Sequence, residues 1–186
     1  MTNTTEKTTD SRATQENYTG VEPRPVSQKQ IDAFKAAMMA FTITDPSQIS
    51  QVMANVRNMR MPNGQPIMES DGQKRGDRAK SKEREPFFVA AKECFRTKAQ
   101  AAVHTIASPK PGQITNEAEV KKMAEMAKAL FGASRMPNVG EEARMERQAS
   151  FDQALKDAQD RAMKRINAAQ SIHRMGRHNM QERLTA

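Results

Sequence analysis

The side chains suited to metal binding or nucleophilic catalysis are few: three histidines, His104, His173 and His178, and one cysteine, Cys94. His173 and His178 are five residues apart, which puts them on different faces of a helix, and no carboxylate stands at ligand spacing beside them. Cys94 and His104 are ten residues apart, about 15 Å along a helix at 1.5 Å per residue, too far for a thiolate and its base. A lone cysteine makes no internal disulfide and reads as a small core residue. The chain has no Gly-x-Gly-x-x-Gly, no Gly-Lys-Ser/Thr phosphate loop and no Gly-x-Ser-x-Gly elbow. Glu141, Glu142 and Glu146 can share a helix face, but the dipole favours acids at a helix N-terminus whatever the function. The expectation is a protein with no enzymatic activity, no metal and no cofactor.

The cations are more suggestive. The 186 residues include 30 Lys and Arg against 22 Asp and Glu, a net charge of +8. Residues 86–115 hold four cations against one acid, residues 161–186 six against one, and residues 141–160 three against six. The C-terminal group is Arg161, Lys164, Arg165, Arg174, Arg177 and Arg183, and its last three extend past what one terminal turn of helix dipole explains. Lys92 and Arg96, four apart, share a helix face. These eight are the expected contacts to a nucleic-acid backbone, RNA or DNA, a mode that gives affinity without sequence choice. No aromatic residue interleaves with the C-terminal group, so base stacking is not expected there. The chain has 14 methionines but only three leucines. Most of those methionines substitute for leucine, but Met61 and Met136 each sit beside a turn proline and, with Arg60 and Arg135, are the expected partner contacts.

The elements that must position these groups read as all-α, about five helices. Residues 1–26 are polar, lack apolar periodicity and form an expected flexible arm. Residues 27–186 then make a single helical domain. Ser27 with Gln30 is a capping box, Val26 stands ready to staple onto Ile31, and Ile31, Phe34, Met38 and Phe41 make the first stripe. Asp45-Pro46 with Gln48 opens a second helix carrying Ile49, Val52, Met53, Val56 and Met59. Residues 65–85, with eleven charges, read as a mobile loop, and Pro86 as the start of a third helix with Phe88, Ala91, Phe95, Ala99, Ala102 and Ile106. A fourth helix runs from Asn116 to about Phe131 and closes at Gly132. The fifth, from Glu141 to about Met175, carries Phe151, Leu155, Ala158, Ala162, Ile166, Ala169 and Ile172, with a basic tail over 175–186.

Three blocks recur in order: Ile43–Met53 with Ile114–Ala124, Arg60-Met61-Pro62-Asn63 with Arg135-Met136-Pro137-Asn138, and Phe87–Glu93 with Phe151–Asp157. They predict two duplicated helical hairpins, 43–107 and 114–174, packed as a four-helix arrangement with one added N-terminal helix. Only 37% of the chain is hydrophobic and no window approaches 18 apolar residues, so no membrane contact is expected and no signal peptide is visible. The expected place is the cytoplasm or the inside of a virion or other large assembly.

Together these features point to a self-associating structural subunit of coat, nucleoprotein or packaging type that contacts nucleic acid. An adaptor or scaffolding protein that binds acidic proteins is the alternative.

Overall fold

A computed structural model describes residues 21–136 and 139–185, with side chains as far as Met175 apart from His173. The expected arm falls mostly on residues 1–20, which lie outside the described residues. Five helices stand among the rest: α1 Gln28–Ala40, α2 Pro46–Arg57, α3 Asp77–Ala107, α4 Glu117–Ala133 and α5 Glu141–Thr185. Among the described residues there is no strand beyond a single bridge between Arg60 and Pro66. No helix of these is long and apolar enough to cross a membrane.

Capping chemistry starts three of the helices. At α1 the Ser27 hydroxyl accepts the Gln30 N–H at 3.3 Å, and the Gln30 side chain accepts the Ser27 N–H at 2.9 Å. The repeated Ile-Thr-Asx sequence makes one device twice. Asp45 accepts the Ser47 N–H at 2.7 Å while Gln48 reaches back to the Thr44 N–H at 2.8 Å. Asn116 accepts the Glu119 N–H at 2.9 Å while Glu119 reaches back to the Thr115 N–H at 2.6 Å. Each cap satisfies donors that the first helical turn leaves free.

α3 is the hub and packs against all four other helices. The remaining helix contacts are α2 with α4 and α4 with α5, whereas α2 and α5 do not touch. In a closed four-helix bundle they would be neighbours, so the four-helix arrangement is an open stack, in which hairpin α4–α5 lies against hairpin α2–α3. The core is built from Phe34, Phe87, Phe95, Met38, Ile106 and Leu155 with alanines between them, among them Ala91, Ala99, Ala127 and Ala162. Those alanines let the helices approach closely, which is why three leucines suffice. Phe34 meets Phe87 edge-on at 5.4 Å, joining α1 to α3.

Several boundaries differ from expectation. α3 begins at Asp77, nine residues before Pro86, so the loop expected over 65–85 is a short turn, a loop and two helical turns. Ile67 is buried and its N–H donates to the Met59 carbonyl at 3.0 Å, folding Arg60–Gly64 into a tight reversal. Met59 adopts φ 55°, the left-handed conformation that turns the chain away from α2, rather than continuing the helical stripe. Pro86 inside α3 removes one backbone hydrogen bond, a defect of about 3 kcal/mol in an isolated helix. Tertiary anchoring outweighs it. Phe87 is fully buried in place of the expected Phe88, and Glu83 and Ala79, four and eight residues before Phe87, continue the same face. Gly132 lies inside α4, whose cap is Ser134. α5 runs ten residues past the expected Met175.

Among the described residues Glu83 is the buried charged side chain, 3% exposed. Its carboxylate accepts the Arg24 main-chain N–H at 2.7 Å and the Arg24 guanidinium at 3.0 Å. Arg24 also donates to the Glu69 carbonyl at 2.6 Å. Residues 22–26, expected as part of the arm, are therefore fixed to α3.

Candidate nucleic-acid interface

The last four carbonyls of a helix lack partners and carry its negative dipole end. In this protein a cation from α3 or α5 reaches the C-terminal end of each of α1, α2, α3 and α4. Lys98 donates to the Met39 and Phe41 carbonyls at the end of α1, at 2.9 and 3.0 Å. Arg84 donates to the Arg57 carbonyl at the end of α2 at 3.2 Å. Arg165 donates to the Ile106 carbonyl at 2.7 Å and also to that of Ala107, at the end of α3. Lys92 donates to the Arg135 carbonyl just past α4. Burial pushes the ammonium groups of Lys92 and Lys98 below their ordinary values.

Two of the eight expected backbone contacts, Arg165 and Lys92, are thus engaged with the protein's own carbonyls. Arg161, Lys164 and Arg174 are exposed on α5 with no partner among the described residues. The side chains of Arg177 and Arg183 lie outside the described residues. The first Arg-Met-Pro-Asn turn is folded on itself: Arg60 donates to the Gly64 carbonyl at 2.8 Å and Met61 is half-buried against the core.

The second copy of that turn is different. Arg135 and Met136 join Lys92, Arg96, Arg144 and Arg147 around a recess of about 60 Å³. It opens beside a groove of about 560 Å³ between α3 and α5, lined by Arg96, Gln100 and Val103 on one side and Arg147, Ser150 and Ala154 on the other. The residues in contact show how the groove runs. Lys92 and Arg96 lie beside Arg144 and Arg147 at one end, and Arg165 holds Ile106 and Ala107 at the other. The two helices therefore run parallel, with α4 as the crossover.

Five cations border this recess and groove against two acids, Glu93 and Glu146. Glu93 is neutralised by Lys35 at 2.7 Å, whose own pKa is raised by that hydrogen bond and charge. Arg135 is held by Gln148 at 3.0 Å. Arg96 and Arg147 line both cavities, are exposed, and have no carboxylate or carbonyl partner among the described residues. Arg144 and Arg147 were hidden in sequence because residues 141–160 are acidic on average. Arg161, two heptads after Arg147, lies near the same face of α5 and is the signal in the sequence that a cationic flank continues there.

Among the described residues no group of His, Cys, Asp or Glu could hold a metal ion. Cys94 is buried in the core, and burial pushes its thiol upward, which suits packing rather than nucleophilic chemistry. What the groove offers is fixed positive charge beside an apolar floor. Comparison of the chain with family models, with curated proteins and with solved structures gives no match.

Proposed function

We propose that the protein is a non-enzymatic structural subunit of a larger assembly and that it holds a nucleic-acid backbone along the α3–α5 groove. The observation that carries this reading is the pair Arg96 and Arg147, two guanidinium groups bordering the same groove without a partner among the described residues. Every other cation around the recess has a carbonyl or amide to hold, whereas these two are left for an external anion. Arg161 extends the same flank of α5, about 21 Å beyond Arg147 at 1.5 Å per residue. Self-association is supported by the far end of α5. No described residue after Ile166 is buried, and Ile172 and Met175 are 69% and 61% exposed.

A salt titration of binding to a generic single strand tests the reading. Affinity should fall linearly in log–log form, and Arg96→Glu or Arg147→Glu should each flatten the slope by about 0.7. A salt-independent affinity would exclude phosphate contacts. Sedimentation of the chain with and without residues 1–20, a deletion that keeps Arg24 on Glu83, tests the assembly half, since unchanged oligomers would remove the arm from it.

A further inference from the structure

We infer that the groove accepts a single strand and not a duplex, with one base laid against Phe131. This rests on the reading of the groove as a nucleic-acid site. Phe131 borders both the recess and the groove. Its ring is stacked on Phe151 at 4.0 Å and 9°. Phe151 is buried, so Phe131 is backed by a fixed ring and makes a rigid apolar platform with part of its surface open. Arg96 and Arg147 border the same cavities. A cationic groove with an aromatic platform on its floor is how proteins hold single strands: the charges follow the phosphates and the ring takes a base face of any identity.

The dimensions favour the same occupant. Packed helices lie about 8–10 Å apart, so the space between α3 and α5 is narrower than even the major groove of a duplex, about 12 Å wide. A duplex could touch the rim arginines, but its bases are stacked inside it and could not reach Phe131. A single strand can place a phosphate between Arg96 and Arg147 and turn its base onto the ring. Gln100 and Ser150 lie in the same groove with no side-chain partner among the described residues, which leaves them to meet base edges without fixing a sequence.

The test compares a mixed-sequence single-stranded oligonucleotide containing 2-aminopurine with the same sequence in a duplex, at matched points of a salt titration. Binding at least tenfold tighter to the single strand, with 2-aminopurine emission quenched at saturation, is the expected result. Phe131→Leu should retain the salt slope while losing the quenching and about tenfold in affinity. Circular dichroism establishes that this variant is folded; if it is not, the wild-type affinity ratio and quenching decide alone. Equal affinity for strand and duplex, or unchanged emission at saturation, overturns this inference and leaves the backbone reading standing. Salt-dependent binding to neither removes the backbone reading itself.

Discussion

Arg75 Nε lies 2.9 Å from Glu83 Oε1, and the two side chains are only 9% and 3% exposed. Arg24 closes the other side of the same carboxylate, so one acid from α3 joins the loop before it to the segment before α1. Burial alone would raise the Glu83 pKa, but the hydrogen bonds and charge of Arg24 and the charge of Arg75 reverse this and leave it below its ordinary value.

Removing that carboxylate takes one buried partner from Arg75, which keeps Asp71, and takes from Arg24 the acid that holds its main chain and guanidinium. Glu83→Ala should cost about 3 kcal/mol in urea unfolding at neutral pH. The pH dependence follows from the sign of the shift. A depressed folded pKa means the contribution is complete above the unfolded value, near 4.3, and is lost as pH falls through the lower folded one. Wild-type stability should therefore fall as pH drops below the unfolded value and on through the lower folded one, and fall less in Glu83→Gln. Equal acid losses in the two proteins would contradict the lowered pKa. Asp71, held down first by its hydrogen bond from Arg75, contributes in the same direction in both.

Arg161 and Arg165 separate two uses of a cation on one helix. Arg165→Ala removes donors from the exposed end of α3 and should cost about 1–2 kcal/mol of stability. Arg161→Ala should change stability by less than about 0.5 kcal/mol and instead weaken nucleic-acid binding at low salt. Thermal melts and anisotropy on the two variants check both halves, and a reversed pattern would refute the assignment.

The twin caps offer a further check. Asp45→Ala and Asn116→Ala should each cost about 1 kcal/mol. Because the caps share no hydrogen-bond partner, the double variant should lose the sum within about 0.5 kcal/mol. Denaturant midpoints measure this, and Asp45, whose pKa is lowered first by its hydrogen bond with Ser47, should lose its effect in acid while Asn116 does not.

Truncation after Ala168 should leave the melting temperature nearly unchanged while lowering the helical circular dichroism. No described residue beyond Ile166 is buried, so the removed turns contribute length and little packing. A large drop in melting temperature would show that the end of α5 is bound to the body.

Much of this architecture is legible in sequence because it is local. Ser27, Asp45 and Asn116 announce their helices, and the stripes of α2 and α5 fall where the periodicity puts them as far as Ile166. The start of α3 is not legible. Its anchor is an acid whose two partners lie eight and 59 residues away, and Pro86 imitates an N-terminal signal. The groove is legible in pieces. Lys92 and Arg96 stand out as a cationic pair and Arg135 and Met136 as a turn, but nothing local says that these meet. Averaging charge over residues 141–160 conceals Arg144 and Arg147, because a helix presents faces and not averages.

The position of α3 carries a consequence for how the protein comes apart. In ordinary stacked repeats each unit touches only the next, so the array can melt piece by piece from either end. Here one helix touches all four of the others. Loosening any neighbour exposes apolar surface on α3, and loosening α3 exposes all four neighbours at once. The body therefore has the outline of a modular chain with the cooperativity of a single fold, and its unfolding should follow one transition in which all spectroscopic probes coincide.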